Sequence, residues 1–180
     1  AMRTAVQEGR AGSIDEALVS AGEAALVEAC KKCSVKEALG AGFDLSEIKQ
    51  LDKVRGLRAA GVPCADARRV GYDSKQIKLA GYSVAHAKAA GFSCAAVKEG
   101  GYVKGLKAGG FSCEDAKEAG YVRGLKLAGF RCDEARAAGY VDGLKECGYS
   151  AREARECGYT CGQLRLGGYS CGEAKAAGCT

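Results

Sequence analysis

From residue 42 onward, apolar and polar positions recur every nine or ten residues, and neither a long 3.6-residue nor a long two-residue period is sustained. The unit is a glycine, an aromatic residue, a small polar residue, three variable positions, an apolar residue, a basic residue and usually an alanine nearby. Its marks fall at Gly42, Gly61, Gly71, Gly81, Gly91, Gly101, Gly110, Gly120, Gly129, Gly139, Gly148, Gly158, Gly168 and Gly178, with Asp52 in the slot between the first two. Between Gly91 and Gly148 ten-residue and nine-residue steps alternate, so two units make a layer of 19 residues.

Each ten-residue unit predicts one short helix with both ends specified. Two residues after the glycine stands an N-cap residue: Asp44, Asp73, Ser83, Ser93, Ser112, Ser150, Thr160 or Ser170. Glu47, Gln76, Glu153, Gln163 and Glu173 follow their caps at the spacing of a capping box. The next glycine suits a left-handed C-terminal residue, and the aromatic after it suits the hydrophobic contact of a Schellman ending. The nine-residue units lack the polar cap and carry Gly56, Gly105, Gly124 or Gly143. Read as short helices, they bear an internal glycine at about 1 kcal/mol each relative to alanine. Close approach of a neighbouring backbone is the expected compensation.

Helices of about two turns do not survive alone in water. Stability must come from stacking, with each unit covered by its neighbours. The predicted fold is therefore all-α: a solenoid of very short helices whose nine- and ten-residue units pair into layers of 19–20 residues. Seven such layers would form an elongated rod roughly 60–70 Å long at the usual helix spacing. Residues 1–31 lack the repeat mark; the Ser13/Glu16 capping box ahead of Ile14, Ala17, Leu18 and Ala21 predicts a helical capping region there, with the solenoid spanning 32–180. Residues 32–41 read as a degenerate unit. Gly178-Cys179-Thr180 begins another unit, so a partner is one expected cover for the last layer. Ala1-Met2 reads either as an expression scar or as a processed start.

Composition fits a narrow seam better than a broad core. Hydrophobic residues make up 47%, but much of this is alanine, and the chain has no Trp and one Met. No run of 18 apolar residues suggests a membrane span.

The net charge of +5 is unevenly ordered, residues 1–51 contributing −2 and residues 52–180 contributing +7. One slot carries Arg68, Lys78, Lys88, Lys98, Lys117, Arg136, Arg155, Arg165 and Lys175, and the nine-residue units add Arg58, Lys107, Lys126 and Lys145. A stripe of cations would attract nucleic acid or another polyanion. The same slot lies in the last helical turn, where a cation complements the helix dipole and its methylenes cover alanine-rich surface. The second reading is the simpler one.

Of 11 cysteines, Cys64, Cys94, Cys113, Cys132, Cys161 and Cys171 share the first helical position. Leu45, Val84 and Ala151 fill it elsewhere, which marks a small packing slot. The competing expectation is a ladder of thiols activated at helix N-termini. Equivalent cysteines one layer apart would lie about 9–10 Å from each other, beyond the roughly 7 Å limit for a bridge. Cys147 and Cys157, just before their glycines, have no assigned partner. An odd cysteine count without a secretion signal favours a mainly reduced chain in an intracellular compartment or an organelle such as a plastid.

Cys30-Lys-Lys-Cys33 has the spacing of metal ligands but no second pair, and the single histidine, His86, occupies a surface slot. No metal, no cofactor and no small-molecule substrate is implied. No catalytic constellation emerges, and no phosphate-binding glycine loop follows a strand.

Units such as GYSAREAREC, GYTCGQLRLG and GYSCGEAKAA resemble the short GYS-x-x-x-L-K-x-A-G repeat proteins. The resemblance covers residues 32–180, and departs in the nine-residue units and the cysteine content. It implies tandem decapeptides forming a solenoid of very short helices, with a binding or structural role. The expected function is a non-enzymatic scaffold that holds a protein partner along one solenoid face, for example as an accessory subunit of a large organellar complex such as a photosystem. Polyanion binding through the cation ladder is the alternative.

Overall fold

A computed structural model describes residues 24, 25 and 27–180. The predicted capping box at Ser13 and Glu16 lies outside these. Residues 27–32 are helical, and the helices that follow have six residues each: α1 Val35–Gly40, α2 Leu45–Gln50, α3 Cys64–Arg69, α4 Ser74–Leu79, α5 Val84–Ala89, α6 Cys94–Glu99, α7 Cys113–Glu118, α8 Cys132–Ala137, α9 Ala151–Glu156, α10 Cys161–Leu166 and α11 Cys171–Ala176. Among the described residues there is no strand. The fold is an all-α solenoid of short helical rungs. The chain divides into two compact units, the first ending at Gly81 and the second Tyr82–Thr180. This division falls inside the repeats.

The eight predicted N-caps all accept a backbone N–H from three residues ahead. The five predicted capping boxes form, and Ser34/Glu37, Ser83/His86 and Ser112/Asp115 add three more. α3 starts at Pro63 without a side-chain cap. At the other end each corner closes in the same way: Tyr121 N–H donates to Ala116 C=O at 2.8 Å and Gly120 N–H to Lys117 C=O at 2.8 Å. Gly120 has φ +70° there, which satisfies the last carbonyls of the helix at no Cβ cost. Asp52 holds the equivalent corner with φ +53°, a conformation Asp tolerates better than most residues.

The nine-residue units are not helices. Residues 55–61, 104–110, 123–129 and 142–148 are turns, because the central glycines are left-handed, with φ +94°, +78°, +79° and +71° at Gly56, Gly105, Gly124 and Gly143. One residue fewer and one inverted φ break the helical hydrogen-bond register. The compensation is a close approach of backbones, made as hydrogen bonds between rungs, Gly124 N–H donating to Glu146 C=O at 3.2 Å. Freed N–H groups reach the rung two units on: Lys107 N–H donates to Ala128 C=O at 3.2 Å, Lys126 to Cys147 at 3.0 Å and Lys145 to Gly167 at 3.0 Å. What crowds Gly143 is the Val122 side chain, and Gly105 faces open space.

One slot of the rung is enclosed throughout. In the second unit it holds, in chain order, Ala87, Val97, Leu106, Ala116, Leu125, Ala135, Leu144, Ala154 and Leu164, each at 0% exposure. From Leu106 onward, leucines come from one set of alternate rungs and alanines from the other. Large and small side chains thus fill a constant width.

Candidate interaction surface

A hydrogen-bond ladder joins the corners. Tyr102 Oη donates to Tyr82 C=O at 2.9 Å, Tyr121 to Tyr102 at 2.7 Å, Tyr140 to Tyr121 at 2.7 Å and Tyr159 to Tyr140 at 2.8 Å. On the alternate corners Tyr149 donates to Phe130 C=O at 2.9 Å and Tyr169 to Tyr149 at 2.7 Å, and in the first unit Tyr72 to Lys53 at 2.9 Å. A buried tyrosine needs such a partner, and these rings are 7% exposed or less. Burial raises the ionisation of Tyr121, Tyr140, Tyr149 and Tyr159 well above the ordinary value, and that of Tyr169 to about 12.

Most of the predicted cation ladder is engaged with backbone or carboxylates of this chain. Lys98 Nζ donates to Ala119 and Gly120 C=O at 3.0 and 2.7 Å, and Lys117 to Ala138 and Gly139 C=O at 2.9 Å each, so one helix caps the C-terminus of the next helix, two rungs on. Lys88 donates to Gly110 C=O, and Arg58 to Gly81 C=O at 2.8 Å. Lys88, Lys98 and Lys117 also lie over the rings of Phe111, Tyr121 and Tyr140, at 4.7, 5.8 and 6.0 Å. Lysines of the nine-residue units pair instead with capping carboxylates: Lys107 with Glu134 at 2.7 Å, Lys126 with Glu153 at 2.6 Å and Lys145 with Glu173 at 2.9 Å. The hydrogen bond from Lys126, then the Ser150 N–H, lowers the Glu153 carboxyl to about 2. Lys145 and the Ser170 N–H do the same for Glu173.

Arg155 donates to Tyr159 C=O at 2.6 Å in the corner that follows its own helix, and the Arg136 guanidinium lies over Gly158. Arg68, Lys78, Arg165 and Lys175 are exposed. The ladder residues are therefore brought into register by the rungs, but largely face the next rung. Nothing in the sequence pointed to the carbonyl targets beyond the nearby one of Arg155, because they lie 21–23 residues away.

The cysteine slot is a packing position. Cys64, Cys94, Cys113 and Cys132 are buried, and burial raises their thiols, Cys94 to about 11 and Cys113 and Cys132 to about 12. That is the reverse of activation at a helix N-terminus: desolvation outweighs a helix of six residues. Cys171 is exposed, and Cys161 is not a thiol. Cys161 is bonded to Cys179 with Cα atoms 5.7 Å apart. The expected spacing applied to identical slots, whereas Cys179 occupies the corner slot two units on, which reaches back to the helix start. Cys157 touches Cys132 from the end of the adjacent helix.

His86 is exposed and completes the Ser83 cap, Ser83 N–H lying 3.2 Å from Nδ1. Among the described residues no group of three or more His, Cys, Asp or Glu is placed to hold a metal ion, and no helix is long and apolar enough to cross a membrane. Leu79, Leu127 and Leu166 stand out at 61%, 64% and 66% exposure.

The corner geometry, the capped six-residue helices and the fixed step between them are those of a decapeptide array. Residues 32–104 match the family model described as Decapeptide repeat region. The match supports a decapeptide tandem-repeat family, and rungs of the same construction continue to Ala176. No curated protein and no solved structure matches the chain significantly.

Proposed function

We propose that the repeat array is a non-enzymatic scaffold whose rungs present a protein-binding face. The observation that carries this reading is the use of the chemically capable side chains for holding rungs together: tyrosine hydroxyls, most ladder lysines, capping carboxylates and most slot cysteines have partners or are buried within the chain. What is left toward solvent is a regular surface of variable first-turn residues, with leucines such as Leu127 and Leu166 held out at about two-thirds exposure. Exposed aliphatic side chains on a rigid repeat suit a protein surface better than a small substrate.

The test is a native co-purification followed by reconstitution with the partner so found. Leu127→Glu combined with Leu166→Glu should weaken that complex at least tenfold while leaving thermal unfolding unchanged. Unaltered affinity across substitutions of every exposed rung position would defeat the proposal. Polyanion binding is separated by titrating single-stranded and duplex nucleic acid at low salt, where a cation track binds and a surface of engaged lysines does not.

A further inference from the structure

We propose that Cys30 and Cys33 form an oxidisable dithiol site that takes low-molecular-weight disulfides of the glutathione type and closes to an intramolecular disulfide. The two Sγ atoms lie 3.8 Å apart, and Cys33 Sγ also donates to the Cys30 carbonyl at 3.1 Å. Closure therefore needs a movement of about 2 Å to reach bonding distance. The pair straddles a junction: the chain is helical to residue 32, and Ser34 then caps α1. Lys53 fixes this turn from the opposite side, its ammonium donating to the carbonyls of Lys31, at 3.1 Å, and of Cys33. That places a cation near Cys30, whose thiol burial and the Cys33 side chain nonetheless push up, so the first attack falls to the more accessible Cys33.

The two thiols are unequal in access. Cys30 is 3% exposed and Cys33 is half-buried at the surface, so Cys33 meets an incoming disulfide first. Its thiolate attacks one sulfur of RS–SR, forming a mixed disulfide at Cys33 and releasing RS⁻, which takes up the proton that Cys33 lost. Cys30, behind it, then attacks Cys33 Sγ, expels the second RS⁻ and gives up its own proton. The sum is two thiols and one disulfide giving one protein disulfide and two RSH, with no other oxidant. Among the free cysteines described, Cys132 and Cys157 are the other touching pair, likewise one buried and one half-buried thiol; what distinguishes Cys30 and Cys33 is the Lys53 ammonium bonded to the backbone of their turn.

The full chain is reduced, freed of reductant, exposed to glutathione disulfide, quenched by alkylation and mapped after trypsin. Cleavage after Lys31 or Lys32 separates the two cysteines, so the oxidised pair appears as cross-linked peptides. The expected result is a Cys30–Cys33 link formed before any Cys132–Cys157 link, with re-formation of Cys161–Cys179 as an internal control. Cys30→Ser should instead retain a stable glutathione adduct on Cys33, and Cys33→Ser should leave Cys30 unmodified in the folded chain. A lasting adduct on Cys33 in the unsubstituted protein, or a Cys132–Cys157 link arising first, overturns the assignment without needing either variant to fold.

Discussion

Tyr140 donates its phenolic hydrogen to the Tyr121 carbonyl 2.7 Å away, while its own carbonyl receives the hydroxyl of Tyr159 at 2.8 Å. Each corner is thus both a donor to the rung before and an acceptor for the rung after, and both groups are buried. Tyr140→Phe removes one donor and strands the Tyr121 carbonyl, which should cost about 1–3 kcal/mol. In a repeat array that loss is read locally, as faster amide hydrogen exchange of residues 121–159 compared with the remaining rungs.

The same ladder sets an alkaline limit. Burial raises Tyr121, Tyr140 and Tyr159 above the ordinary 10.0, so the folded state favours the neutral phenol. Their contribution is complete below pH 10 and is lost as pH rises past it, since only the unfolded chain ionises readily. Tyrosinate absorbance should therefore appear together with the loss of helical circular dichroism. Ladder tyrosines that titrate in a fully helical protein would contradict this.

At acid pH the capping carboxylates matter. Glu153 falls from 4.5 to about 2 in the folded state, so its contribution is present above pH 4.5 and disappears as pH drops toward 2. The Lys126–Glu153 pair is largely exposed, which limits the effect to about 1 kcal/mol or less. Glu153→Gln should flatten the pH dependence of the urea midpoint over that interval, and its effect should shrink with added salt.

Gly105 and Gly143 share a left-handed backbone but differ in surroundings. A Cβ at Gly105 meets nothing within 4 Å, whereas one at Gly143 would lie 2.6 Å from Val122 Cγ1. Gly105→Ala should cost about 1–2 kcal/mol from the backbone alone. Gly143→Ala should cost a further 1–3 kcal/mol or so, because the β-branched Val122 has little rotamer freedom to withdraw. Paired urea titrations of the two variants measure the difference directly.

The Cys161–Cys179 bond closes a short loop, the two residues being 18 apart in sequence. Cys179→Ser should lower stability by up to about 3 kcal/mol, concentrated in residues 159–178. Reductant should reproduce the effect in the parent chain and have none in the variant. Equal hydrogen exchange in that segment with and without reductant would show that the bond carries no stability.

Much of this architecture was legible because its determinants are local. A cap, a box partner three residues on, a glycine at the end and an aromatic after it all act within ten residues, and Asp44, Ser150 and Ser170 do what that pattern demands. The misread rungs show where local reasoning stops. Gly124 could have belonged to a strained helix or to a turn, and what decides is a bond from Lys126 N–H to Cys147, 21 residues away. The cation slot is similar: its period was plain, but whether Lys117 faces solvent or the Ala138 and Gly139 carbonyls depends on where the next rung but one comes to rest.

By itself, then, the sequence determined the rung, its length, its ends and its repeat, since these follow from backbone preferences of neighbouring residues. Tertiary structure decided the ladder hydrogen bonds, the inward use of the lysines, the burial of the thiols and the pairing of Cys161 with Cys179. Those depend on distances between residues about 18–28 positions apart, and such distances exist only once the rungs have stacked.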